Sequence, residues 1–203
     1  MGKMKTGCRY CKTTANFKGN FNAMPPNCPT KIYSEITKNK QPYLEDEITA
    51  KIMQVADQTP FDEKGKLRSR VEELVFFAKE MGYKKIGIAF CVTLINEAQK
   101  LAAILEKEGL TPILACCRLG AIDYSEIRLP KKNPEKFVSI CNPIAQARLF
   151  NEVKTDLNVI LGLCLGHDIL FTRESQAPTT TLIVKDRVYG HNPIKTLAKI
   201  IEG

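Results

Sequence analysis

Eight cysteines and two histidines stand in this 203-residue chain. Thiolates bind soft metals and attack electrophiles, and an imidazole can join them as a ligand or serve as a base. Three thiols come early, in Cys8-Arg9-Tyr10-Cys11 and Asn27-Cys28-Pro29. A Cys-x2-Cys turn can aim two sulfurs at one ion, as in zinc knuckles, or act as a redox dithiol. With Cys28 added, metal is the favoured reading, the fourth ligand coming from elsewhere or being left open. The other five are Cys91, the vicinal pair Cys116-Cys117, Cys141 and Cys164, which is followed by Gly166, His167 and Asp168; His191 comes later, in Gly190-His191-Asn192-Pro193.

The elements that must position these groups can be read from periodicity. Val159 to Cys164 carries no charge and is mostly aliphatic, as expected of a strand covered on both faces. Asn158 to Cys164 is therefore expected to be the central strand of a parallel sheet. Lys85 to Cys91, Thr111 to Cys117, Phe137 to Cys141 and Thr179 to Val184 read as further strands. Between and after them, Leu94 to Glu108, Ile144 to about Lys154, Asp168 to Glu174 and Pro193 to Ile201 read as helices. Such alternation implies a three-layer α-β-α architecture with a mainly parallel, Rossmann-like sheet.

In a parallel sheet all strand-to-helix junctions share one edge. Cys91, Cys117, Cys141 and Cys164 each stand at such a junction, so the expectation is that they converge there. Helix N-termini favour anions, which should increase their thiolate character. Four converging thiolates suit zinc or an iron–sulfur cluster, and three thiolates with His167 or His191 suit zinc or a cluster with an unusual ligand. Cys116 is a further candidate ligand. Asp168 and Asp186 could orient an imidazole, and Arg187 could offset thiolate charge.

The remaining chain divides into an irregular Cys-rich arm over residues 1–44, a helical brace over 45–82 and the α/β core over 83–203. In the brace, Ile48, Ile52 and Val55 mark one helix and Leu67, Val71, Leu74, Val75 and Ala78 a second, with Thr59-Pro60 between them and Gly82 as a C-cap. Lys plus Arg number 30 against 22 Asp plus Glu, but the excess is scattered rather than gathered into a stripe, so no nucleic acid is expected. No run is long enough to span a bilayer and no signal-peptide core precedes residue 18, so a soluble, cytoplasmic protein without a membrane partner is expected. In that compartment free thiols are favoured over disulfides. Neither Gly-x-Gly-x-x-Gly nor a Walker pattern occurs, and nucleotide binding has no support.

Gly87-Ile88-Ala89-Phe90-Cys91, Cys116-Cys117, Cys141-Asn142-Pro143-Ile144-Ala145-Gln146-Ala147, the run from Gly162 to Asp168 and the run from Lys185 to Pro193 together resemble an uncharacterised family of cysteine-rich, presumed metal-binding proteins of anaerobic bacteria and archaea. The resemblance covers most of the chain from about Glu45 onward. It implies metal binding without an established activity. Members look as if they begin with a fuller cysteine cluster; near Ala15, where another thiol would be expected, this chain has none.

The leading expectation is thus a metal-binding protein with zinc or an iron–sulfur cluster at the sheet edge. A cluster would imply electron transfer or redox sensing and a redox protein partner. The alternative is a thiol enzyme with Cys164 as nucleophile and His167 or His191 as base. A dithiol oxidoreductase using Cys8 and Cys11, or Cys116 and Cys117, ranks below metal. The apolar helices suit a homodimer as readily as a monomer.

Overall fold

Ser69 opens the first long helix of the α/β part by accepting from the Glu72 N–H, while the Glu72 carboxylate accepts from the Ser69 N–H at 2.6 Å. This reciprocal cap satisfies two donors that a helix start leaves free. The computed structural model describes Gly7, Cys8 and residues 11–201, in two compact units, Met1–Gln54 and Val55–Gly203. In chain order the helices are α1 (Pro29–Ile32), α2 (Ser34–Thr37), α3 (Gln41–Glu45), α4 (Glu47–Gln58), α5 (Arg70–Met81), α6 (Ile95–Lys107), α7 (Pro143–Glu152), α8 (His167–Glu174) and α9 (Ile194–Ile201). The strands are β1 (Lys85–Phe90), β2 (Thr111–Cys116), β3 (Leu157–Leu161) and β4 (Thr179–Ile183).

The four strands form one all-parallel sheet in the order β2-β1-β3-β4. Helices cover both of its faces. On one, Leu74 and Ala78 of α5 and Ala98, Leu101 and Leu105 of α6 pack on Ile86, Ile88, Phe90, Val159 and Leu161. On the other, Phe150 of α7 and Phe171 of α8 meet edge to face at 6.0 Å over Ala89, Ala115 and Ile160. Each large side chain fully buried here contributes about 1.5–3 kcal/mol relative to exposure. Gly87 sits where α7 approaches most closely: a Cβ there would lie 2.3 Å from Asn158 Oδ1 and 2.7 Å from the Phe150 ring. Asn158 is itself held in the core, accepting from the Thr155 hydroxyl at 2.7 Å and donating to Ser175 Oγ at 2.6 Å.

Two expectations need correction. Phe137 to Cys141 is not a strand of the sheet. Its backbone pairs within its own loop, where Tyr124 N donates to Val138 O and Ile140 N to Ile122 O, both at 2.9 Å. Asp123 fixes that pairing, accepting from Val138 N at 2.7 Å and from Lys131 Nζ at 2.9 Å. The Ser125 hydroxyl, the Val138 and Ser125 N–H groups and the Lys131 ammonium hold its carboxyl below the ordinary carboxylate range. Secondly, β3 ends at Leu161 rather than Cys164. Gly162 takes the left-handed conformation at φ 65 and turns the chain out of the sheet.

The N-terminal unit has little to bury. Its buried apolar cluster among the described residues is Ala15, Met24 and Cys28, while Phe17 is 92% exposed. Ala15, where the resemblance would lead one to expect a thiol, is thus packed beside Cys28.

Candidate thiol site at the sheet edge

Parallel pairing of β1 with β2 sets Phe90 opposite Cys116. Cys91 and Cys117 are the next residues on each strand, and Cys117 N continues the ladder by donating to Phe90 O at 2.9 Å. On the far side of Cys117, Asn142 N donates to Cys117 O at 2.7 Å, which brings Cys141 alongside as the loop returns to start α7. Asn142 caps that helix through its side chain, accepting from Ala145 N at 3.0 Å. Three thiols from three chain segments therefore stand in a row, Cys91, Cys117 and Cys141, with Cys117 in the middle. Cys91 and Cys117 are buried in the cluster under α7 and α8, and Cys141 packs against it half-buried.

The surroundings of the three differ. Thr93 Oγ1 lies 3.3 Å from Cys91 Sγ and in turn accepts from Lys185 Nζ at 3.0 Å, so the end of β4 supplies a cation to the end of β1. Burial pushes the Cys91 thiol up, but the Thr93 hydroxyl and N–H and the Lys185 ammonium outweigh it and bring it down to about 7. The Cys117 sulfur accepts from the Val92 N–H at 3.4 Å. Burial, followed by the neighbouring charges of Cys141 and Cys91, pushes its thiol up to about 12 despite that donor.

The other candidate residues lie apart from this row. Cys164 follows the Gly162 turn, and its Sγ accepts from Arg187 Nη2 at 3.0 Å. No imidazole hydrogen-bonds to that sulfur among the described residues. His191 Nδ1 lies 3.1 Å from Val184 O and 3.2 Å from the Asp186 N–H, on its own turn. His167 is the first residue of α8, where Asp168 Oδ1 accepts from Gly166 N at 2.9 Å and Ile169 N at 2.8 Å. Asp186 likewise accepts from Val188 N at 2.9 Å and Tyr189 N at 3.1 Å, so both carboxylates brace turns rather than imidazoles. Cys116 is half-buried at the end of β2 and packs against the cores of both faces.

In the N-terminal unit, Cys11 N donates to Cys8 O at 3.0 Å, and both thiols are exposed. Cys28 is buried at the start of α1. Burial raises its thiol, but the Thr30 N–H, the Asn16 amide, the Thr30 hydroxyl and the Lys31 N–H together lower it. Among the described residues, no three or more His, Cys, Asp or Glu side chains are gathered so that they could hold a metal ion. The expected four-thiolate set is therefore not assembled: Gly162 turns Cys164 away to Arg187, and only three thiols share the row.

Sequence reasoning assigned no role at this edge to Thr93, Lys185 or Gln146. Thr93 follows Cys91 by two residues and was legible in principle. Gln146 is fully buried one turn into α7, where Nε2 donates to Ala115 O at 2.6 Å and Phe90 O at 3.4 Å, tying the ends of β1 and β2 to the helix. No described residue brings a hydrogen bond to its Oε1.

Among the described residues no helix is long and apolar enough to cross a membrane. Compared with known proteins, residues 28–182 match the family described as protein of unknown function (DUF1847). An uncharacterized protein of Methanocaldococcus jannaschii, MJ0455, is 49% identical over 142 residues, 67% of this chain and 73% of the relative. No solved structure matches the chain significantly.

Proposed function

The chain belongs to the DUF1847 family of proteins of unknown function, and we propose that it is a metal-binding protein whose Cys91, Cys117 and Cys141 take a soft metal at the sheet edge, either zinc or the iron of an iron–sulfur cluster. One observation carries this reading: the β1–β2 register and the bond from Asn142 N to Cys117 O bring Cys91, Cys117 and Cys141 into one row, where burial and the neighbouring sulfurs push the Cys117 thiol up. Three thiolates cannot coexist in such a row without a compensating charge. A soft cation held by the three sulfurs would supply it, with Cys117 giving up its proton.

The donors fit a soft metal in kind and charge. They do not form a preformed cage, since no three ligating groups meet as they stand among the described residues. A bound cluster would supply one-electron chemistry and call for a redox protein partner; zinc would supply a structural or Lewis-acid centre. The chain's own contribution is to hold Cys91 as a thiolate through Thr93 and Lys185. A second metal on Cys8, Cys11 and Cys28 lacks comparable support, because two of these thiols are exposed and the third is buried. The enzyme alternative has Arg187 Nη2 donating to Cys164 Sγ at 3.0 Å, but among the described residues neither imidazole hydrogen-bonds to the sulfur as a base.

Elemental analysis with an ultraviolet–visible spectrum, on protein purified without air, tests the reading. Stoichiometric iron with broad sulfide absorption, lost in Cys117→Ser, is the result expected for a cluster. Stoichiometric zinc without colour, released when the row is alkylated, is the result expected for a zinc site. Absence of any metal after anaerobic reconstitution would overturn both.

A further inference from the structure

The ladder bond from Cys117 N to Phe90 O and the bond from Asn142 N to Cys117 O align three neighbouring backbone segments. Adjacent parallel segments lie about 4.7–4.9 Å apart. That spacing falls within the Cα separation of about 4.4–6.8 Å that a disulfide spans. Cys117 can therefore be bridged to the thiol on either side, and both partners pack in the same cluster under α7 and α8. Cys116 points along the alternate direction of β2 and is not in this row. The Cys117 sulfur accepts from the Val92 N–H at 3.4 Å and is within side-chain hydrogen-bond reach of Cys141.

The two flanks are unequal. Cys91 has the Thr93 hydroxyl and the Lys185 ammonium at its sulfur and is 7% exposed, so only a small oxidant reaches it. Cys141 is more open to solvent. We propose that the row Cys91, Cys117 and Cys141 is a thiol–disulfide relay that reduces a small hydroperoxide and passes the resulting disulfide from the buried end to the open end.

In the first step the Cys91 sulfur attacks the peroxide O–O bond and becomes a sulfenic acid, the second oxygen leaving as water or alcohol. Next, the Cys117 thiol displaces hydroxide from that sulfur, giving a Cys91–Cys117 disulfide and water. Finally, the Cys141 thiol attacks the central Cys117 sulfur, forming a Cys117–Cys141 disulfide and returning Cys91 as a thiol. One peroxide is reduced and two thiols are oxidised overall. This stands on the β1–β2 register and on the backbone bond from Asn142 N to Cys117 O, and does not require the metal reading.

The test uses the full chain, reduced and stripped of metal, treated with one equivalent of hydrogen peroxide and quenched at intervals by acid and alkylation. Tryptic peptides 86–100, 108–118 and 137–148 carry Cys91, Cys116 with Cys117, and Cys141 respectively. Expected is an early link between 86–100 and 108–118, replaced by one between 108–118 and 137–148, with fragmentation assigning Cys117. In Cys141→Ser the early link should persist, and in Cys117→Ser a sulfenic acid at Cys91 should be trapped by dimedone. Persistence of the first link in the unaltered chain, links confined to other cysteines, or Cys91 never oxidised would overturn the relay. Metal uptake is measured separately and without air, so failure of either proposal leaves the other standing.

Discussion

Three cysteines lie in the N-terminal unit and five in the α/β unit, and the surroundings of their sulfurs differ. Cys8 and Cys11 are exposed, and Cys28 is buried in a small cluster with Ala15 and Met24. Cys91 and Cys117 are buried at the ends of paired strands, where residues far apart in sequence supply the Lys185 ammonium, the Val92 N–H and a third thiol. A local turn can fix the spacing of two sulfurs. Hydrogen bonds within its own unit are enough to lower Cys28, whereas raising Cys117 takes desolvation and neighbouring charges held by a packed frame.

Breaking that frame should have the largest effect. A Cβ at Gly162 would lie 2.3 Å from Leu94 Cδ1, at a backbone φ of 65. Gly162→Ala should therefore cost about 2–4 kcal/mol through strain and overpacking. By contrast Cys28→Ala, in the smaller cluster of the N-terminal unit, should cost about 1 kcal/mol. Urea unfolding of both variants checks the contrast, and equal losses would mean the two units are equally well packed.

The charge contrast can be sharpened next. Lys185→Met removes the cation beside Cys91. The rate at which a small alkylating agent modifies Cys91 at pH 7 should fall about five-fold, as expected if its thiolate fraction drops from near one half to about one tenth. Rates at Cys8 and Cys11 should not change. Peptide-resolved alkylation measures all three, and an unchanged rate at Cys91 would remove Lys185 from the site.

Stability should also change with pH. Cys91 is depressed to about 7 from an ordinary 9.0, so the unfolded chain binds the extra proton between those values and stability rises with pH across them. Cys117 is raised to about 12, so the folded chain holds the proton from 9.0 upward and stability falls there. Unfolding curves on metal-free protein should thus pass through a maximum near pH 9, and Cys117→Ala should lose part of the alkaline decline. An unchanged decline would assign it to other groups.

Much of the sheet was legible because its signals are local. The apolar run at Ile86 to Phe90, the capped α5 and the Pro143 start of α7 each declare an element within a few residues. The Phe137 to Cys141 run was misread because its β-like composition could not reveal that Ile122 and Tyr124 already pair with it. The Val159 to Cys164 run was read too long because composition is blind to the φ that Gly162 adopts.

Alternation of strand and helix along the chain was enough to determine a parallel sheet, and with it one edge on which the junction cysteines had to fall. Only the tertiary structure decided which thiols become neighbours. It aligned Cys91 with Cys117 by register and brought Cys141 in through a loop pinned by Asp123. It also gave Cys164 to Arg187, and set Lys185 beside Thr93, 92 residues away in sequence. Element type follows from propensities acting over a few residues. Acidity and reactivity follow from charges and burial, which depend on distance in space and not along the chain.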